Sequence, residues 1–153
     1  MFHIVLFQPQ IPPNTGNIIR LCANGGAQLH LIYPLGFDVS EKACRRAGLD
    51  YHALAEVQHY EDWQHFLDNA PITRLFAITK FGKTRYDQPH FEAGDGFLFG
   101  RETTGLPDEV HQHFVEDRRL SMPMIEGNRS LNLSNTAAIM LYEAWRQLDF
   151  AGA

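Results

Sequence analysis

Ser121-Met-Pro-Met-Ile-Glu-Gly-Asn-Arg-Ser-Leu-Asn-Leu-Ser-Asn135 runs directly into Thr136-Ala-Ala-Ile-Met-Leu-Tyr-Glu-Ala-Trp-Arg-Gln-Leu148. The first half is an irregular loop of small polar residues, and the second half reads as a helix. Leu133, Ala137, Met140, Leu141, Ala144 and Leu148 recur at helical spacing and make one apolar stripe. Ala138, Tyr142 and Trp145 make a second stripe on another face. A helix apolar on two faces needs two surfaces to cover it. One is the sheet of its own domain; the other is expected to be a partner subunit. Ser130, Asn132, Ser134 and Asn135 stand at the loop–helix junction, where backbone N–H groups lack intrahelical acceptors. A helix cap accounts for such a cluster, and so does a binding loop.

Outward from this stretch, strands and helices alternate. Phe2 to Phe7 is a buried strand, broken by Pro9, Pro12 and Pro13. A helix starting with Asn14 as its cap runs to the stop at Gly25-Gly26. Leu29 to Tyr33 is a second strand, and Ser40 caps a helix to about Ala47. A weaker strand is expected at Leu54 to Val57, a helix at Glu61 to Leu67 and a strand at Arg74 to Thr79. Residues 83 to 95 read as irregular or edge-like. Gly96 to Phe99 is a short strand, Asp108 to Phe114 a helix, and Leu120 to Met122 a last strand. Apolar runs buried on both sides, separated by helices, predict a single α/β domain with a mainly parallel sheet. Its ligand crevice then lies beyond the C-terminal strand ends, in the loops after Phe7, Thr79, Phe99 and Met122.

At 153 residues and 44% hydrophobic content the chain can bury one core, and no run approaches the roughly 20 residues of a membrane span. Met1 to Phe7 lacks a basic n-region and reads as a strand, not a signal peptide; with only Cys22 and Cys44 the chain is expected to be cytoplasmic. A net charge of −5 argues against indiscriminate coating of nucleic acid but leaves room for local basic patches. Two are present: Lys42, Arg45 and Arg46, and Lys80, Lys83 and Arg85. The dinucleotide fingerprint, the phosphate loop, the hydrolase elbow and paired zinc-ligand histidines are all absent. That excludes the common dehydrogenase, NTPase and zinc-hydrolase designs, and no metal is expected. Three polar loops remain. Asn14-Thr-Gly-Asn-Ile-Ile-Arg20 sets a guanidinium among apolar neighbours, where it needs a partner or an anionic ligand. Phe99-Gly-Arg-Glu-Thr-Thr-Gly-Leu-Pro107 puts Gly100 at a strand end, open to close approach, with Glu102 as an acceptor. The stretch quoted first is the third.

Taken in order, N-T-G-N-I-I-R, F-G-x-E-T-x-G-L-P and R-S-L-N-L-S-N before Y-E-A-W-R-Q resemble the three motifs of the SPOUT methyltransferases. Within them the chain is similar to the small single-domain tRNA 2'-O-methyltransferases that modify the wobble nucleotide, cytidine-34 or modified uridine-34, of leucine tRNAs. The likeness extends over about Ile4 to Leu148 and includes Ile11-Pro-Pro-Asn14 and Arg45-Arg-Ala-Gly-Leu-Asp-Tyr-His52. It implies a SPOUT domain over residues 1–153, with a deep trefoil knot within about residues 75–148. S-adenosylmethionine would lie against Ile78, Gly100, Met122, Ser130 and Leu131. Arg20 would act on the 2'-hydroxyl, with Asn14, Glu102, Ser130 and Asn132 orienting it. The resemblance also implies a homodimer, which suits Tyr142 and Trp145. With no separate RNA-binding domain, Arg129, Lys42, Arg45, Arg46 and Lys83 are expected to grip tRNA phosphates. Methylation at another tRNA or rRNA position, and a non-catalytic RNA-binding module, are the alternatives. Arg101 departs from the subgroup, which often has Pro there.

Overall fold

The computed structural model describes residues 1–153. Seven strands form one sheet: β1 (His3–Phe7), β2 (Gln28–Ile32), β3 (Gln58–Tyr60), β4 (Leu75–Ile78), β5 (Thr84–Arg85), β6 (Gly96–Phe99) and β7 (Arg119–Ser121). Their order is β3-β2-β1-β6-β4-β7-β5, and every pairing is parallel. The helices are α1 (Pro12–Gly25), α2 (Glu41–Ala47), α3 (Tyr51–Glu56), α4 (Trp63–Asn69), α5 (Asp108–His111) and α6 (Leu133–Gln147).

Alternation along each strand divides the core in two. Ile4, Leu6, Leu29, Leu31, Phe76, Phe97 and Phe99 point to the face covered by α1 and α6. Val5, Phe7, Ile32, Ala77 and Leu98 point to the other, against Phe66, Val110 and Phe114. Each fully buried large side chain contributes roughly 1.5–3 kcal/mol. The first stripe of α6 supplies Ala137, Met140, Leu141 and Ala144, all completely buried. The second stripe is only partly covered: Ala138 and Trp145 are half-buried, Tyr142 is 44% exposed, and Ile139 beside them is 39% exposed. Trp145 packs edge to face with both Tyr142 and Phe150 there, and its Nε1 donates to the Ala151 carbonyl at 3.0 Å.

Three local expectations are corrected. Leu54 to Val57 is not a strand. Asp50 accepts from the His52 and Ala53 N–H groups and starts α3, which carries Leu54 into the core, and the strand follows at Gln58. Asn14 does not cap α1: the helix begins at Pro12, two prolines fill its first positions, and Ile11 is the capping residue without a side-chain bond. The helix expected over Asp108 to Phe114 closes at His111, and a short 3-10 turn at Glu116–Arg118 leads into β7.

β7 lies between β4 and β5, with Leu120 level with both Ile78 and Thr84. The five residues joining β4 to β5 must therefore cross β7 at close range. Gly82 makes that crossing: a Cβ there would fall 2.7 Å from the Arg119 carbonyl oxygen.

Candidate active site

Sheet order reverses between β1 and β6, so the loops after these two strands face each other across the crevice of an open parallel sheet. They are tied together. Gln8, left-handed at φ 50°, presents its carboxamide oxygen to the Arg101 guanidinium, whose Nε lies at 2.9 Å. Arg101 also sits 5.2 Å over the Phe7 ring. Gln10 Oε1 accepts the Thr103 hydroxyl at 2.7 Å. Glu102 accepts the Gln10 N–H at 2.8 Å and the Ile11 N–H at 3.2 Å. The helix after Ile11 has no side-chain cap and no acidic residue in its first turn. Glu102 supplies both functions from another loop, facing a carboxylate to the positive end of α1.

The loop after β6 turns back on itself between Arg101 and Gly105, whose N–H donates to the Arg101 carbonyl at 2.9 Å. Gly100 allows the closeness of that turn, since a Cβ there would lie 2.5 Å from the backbone of Gly105 and Leu106.

Beside this turn is a cavity of about 570 Å³. Its walls come from three places: Ile78 to Phe81 after β4, Phe99 to Leu106 after β6, and Met122, Met124 and Arg129 to Leu133 after β7. Ile11, Asn14 and Thr136 close one side. The walls are apolar at Ile78, Leu106, Met122 and Leu131, with polar groups converging from Thr79, Glu102, Ser130 and Asn132. A smaller cavity of about 330 Å³, between α4 and Phe114, is mostly apolar and lies away from these loops.

All five residues expected at the cofactor, Ile78, Gly100, Met122, Ser130 and Leu131, line the larger cavity. So do Asn14, Glu102, Asn132 and Arg129. Asn14 is buried, and its Oδ1 accepts the Asn132 amide at 3.0 Å. Asn132 caps α6, accepting the Ser134 N–H at 2.9 Å and the Asn135 N–H at 3.3 Å. Ser130 is exposed.

Arg20 is not brought to this cavity. It stands exposed on α1, six residues beyond Asn14, about 9 Å along the helix. Lys42, Arg45 and Arg46 are exposed on α2, and Lys83 follows Gly82; none of the four lines the cavity. Arg45 pairs loosely with Glu41 at 3.6 Å and Lys83 with Glu116 at 3.8 Å. Sequence reading missed Gln8, Gln10 and Thr103 as the ties between loops, and Lys80, Phe81 and Met124 as cavity wall. The one signal available was their place just after strand ends.

No group of three or more His, Cys, Asp or Glu side chains converges to hold a metal ion. No helix is long and apolar enough to cross a membrane. Cys22 and Cys44 are buried free thiols, and burial pushes Cys22 up to about 12, so neither is a ready nucleophile.

Residues 1–142 match the SpoU rRNA Methylase family. A tRNA (cytidine(34)-2'-O)-methyltransferase of Methylovorus glucosotrophus is 56% identical over 153 residues, covering 100% of this chain and 99% of its own. A solved structure concerned with the 2-OH methylation of C/U34 on tRNA superposes with a TM-score of 0.85 at 42% identity, over 97% of this chain and 91% of the other. The SpoU methyltransferase AviRb of Streptomyces viridochromogenes, in complex with the cofactor AdoMet, superposes with a TM-score of 0.78 at 26% identity, over 99% of this chain and 58% of its own. With the match running from the first strand into α6, through all three cavity loops, this chain belongs to the SpoU rRNA methylase family.

Proposed function

We propose that this protein methylates the ribose 2'-hydroxyl of nucleotide 34 in tRNA, cytidine or uridine, using S-adenosylmethionine. The observation that carries the reading is the convergence of three separate loops, after β4, β6 and β7, on one cavity. Similarity to the cytidine-34 methyltransferases over the whole chain supports the substrate. The finer assignment to leucine tRNAs rests on the motif resemblance.

The cavity fits the cofactor in character. Apolar walls suit an adenine and a sulfonium's methylene arms, and the turn at Gly100 leaves backbone groups within reach of a ligand. Ile78, Gly100, Met122, Ser130 and Leu131 would hold it. When bound, S-adenosylmethionine supplies an electrophilic methyl group, so the protein's tasks are placement and management of the hydroxyl proton. Arg20 stabilises charge developing on the 2'-oxygen. Asn14 and Asn132 join α1 to the loop after β7, and Glu102 fixes the start of α1.

Arg20 reaches reacting groups through a homodimer. The partly exposed stripe of α6, with Tyr142 and the half-buried Trp145, is the surface offered to a second copy, and α1 packs beside α6. The guanidinium then serves the partner's cavity. Arg129 at the cavity mouth and Lys42, Arg45, Arg46 and Lys83 beyond it grip tRNA phosphates. The passage of β7 beneath the Thr79–Lys83 connection supports a trefoil knot in the C-terminal half. A tRNA-modifying role suits the cytoplasm.

The test is incubation with labelled S-adenosylmethionine and total tRNA, then mapping of the labelled nucleotide. Label on the ribose of nucleotide 34, concentrated in leucine acceptors, is expected. Label on a base atom, or none in any tRNA, overturns the reading.

A further inference from the structure

The geometry points to Phe81 as the platform on which the base of the methylated nucleotide stacks, with Lys80 beside it; the inference rests on the ribose-methylation reading and deepens it. A 2'-hydroxyl at the cavity mouth fixes where the rest of its nucleotide lies. The base is attached to the neighbouring ribose carbon, so it must rest on whatever flanks the mouth. Aromatic faces are the usual support for an unstacked base. Two phenylalanines line the cavity: Phe99 is buried in the sheet, and Phe81 is 67% exposed.

One exposed apolar side chain is ordinary on any surface. Phe81 differs because its backbone is held in place and its ring carries a cation. The Phe81 N–H donates to the Thr79 hydroxyl at 3.2 Å, and the Gly82 N–H to the Thr79 carbonyl at 3.2 Å. Gly82 is pressed against β7, so the turn cannot drop toward the sheet. His111 braces the ring edge to face, at 5.9 Å between centroids. The Lys80 ammonium stands 5.1 Å from the ring centroid, within reach of the phosphate that accompanies a stacked base. Met124 and Ile125, 43% and 82% exposed, add apolar surface on the loop after β7. Stacking of this kind accepts cytidine and uridine alike, because each base has a π-face.

The test uses the whole protein, tRNA, and a tRNA carrying an abasic ribose at position 34. F81A should raise KM for tRNA about tenfold while weakening S-adenosylmethionine binding, by equilibrium dialysis, by a clearly smaller factor. F81W should restore KM. The wild type should lose about the same factor on the abasic tRNA, and F81A should lose nothing further on it. Equal KM for F81A and wild type, additive losses, or cofactor binding weakened as much as KM for tRNA in F81A would overturn the inference. A wild-type protein that methylates no tRNA overturns the function itself; an active wild type with an indifferent F81A overturns this inference alone.

Discussion

Asn132 donates its side-chain amide to Asn14 Oδ1 across 3.0 Å, joining residues 118 positions apart in the chain. With its other end Asn132 accepts the first N–H groups of α6. One side chain therefore caps α6 and pins it to α1. The two roles separate in N132S. Serine still caps, so stability should fall by no more than a few tenths of a kcal/mol, whereas N132A should lose about 1 kcal/mol. Serine is too short to bridge to Asn14, so methyl transfer should fall well below wild type in both. Urea denaturation beside initial rates checks this. A fully active N132S would reduce Asn132 to a cap.

Glu102 gives a second separable case. Both oxygens accept backbone N–H groups at the start of α1, which has no other side-chain acceptor there. E102A should cost about 2 kcal/mol, E102Q about half as much because one acceptor survives. The loops after β1 and β6 loosen together, so cofactor affinity should drop in step with stability. Calorimetry with S-adenosylmethionine, compared with thermal midpoints, reads both. Lost turnover with unchanged stability and cofactor affinity would instead place the Glu102 carboxylate on the reacting groups.

These couplings explain what was legible in the chain and what was not. Gly96 to Phe99 reads as a strand because four residues buried on both faces stand between Asp95 and Gly100. The helix ending at Gly25-Gly26 and the Ser40 cap are local signals and read correctly. Leu54 misleads because one leucine among alternating residues fits a strand as well as a helix; the Asp50 cap four residues earlier decides it. Asn14 misleads because Asn is a favoured cap, yet Pro12 already opens the helix and leaves Asn14 free to meet Asn132. The ties from Gln8 to Arg101 and from Gln10 to Thr103 span 93 positions. No periodicity records such a pairing. It exists only once the parallel order sets β1 beside β6.

A buried chain of polar rings makes the fold acid-sensitive. His3 Nδ1 lies 2.9 Å from His30 Nε2, and His30 Nδ1 lies 2.9 Å from the Tyr60 hydroxyl. Burial lowers the His30 pKa from 6.5 to about 4, reinforced by His3, and burial likewise lowers His3. Between those values the unfolded chain takes up protons that the native state refuses. Stability is therefore full above pH 6.5 and falls as pH drops toward 4, by up to about 3 kcal/mol from His30. Urea midpoints across pH 4.5–7.5, a span chosen to bracket about one unit beyond the upper value, should slope accordingly. The H30F variant should show a flatter profile from a lower plateau, since it leaves Tyr60 and His3 unpaired. An identical slope in H30F would assign the acid sensitivity elsewhere.

The basic face of α2 should act through charge alone. Arg45 and Arg46 are exposed, and Arg45 is held only by a loose contact to Glu41. Replacing both with Ala should leave the thermal midpoint within about 2 °C, given ±0.5 kcal/mol for surface substitutions. It should weaken tRNA binding and lower the slope of log affinity against log salt by about two. Filter binding at several salt concentrations gives the slope. An unchanged slope would remove α2 from the RNA surface.

Arg20 has no hydrogen bond or ion pair within its own chain and lies outside its own cavity. R20A should therefore fold as well as wild type. If the guanidinium stabilises charge on the 2'-oxygen, kcat should fall by roughly a hundredfold or more with little change in KM. R20K should recover little, because a point charge on a different stem does not reproduce the planar fork. The dimer reading adds a sharper outcome. S130A removes a hydroxyl expected to hold the cofactor and should also lose turnover; in a heterodimer of R20A with S130A, the R20A protomer keeps an intact cavity and its partner keeps Arg20, so one whole site forms. Random mixing of equal amounts makes half the dimers heterodimers, each with one good site of two. Activity should then rise from near zero to about a quarter of wild type. If Arg20 served its own cavity, no mixed dimer would contain a whole site, and mixing the two inactive variants would restore nothing.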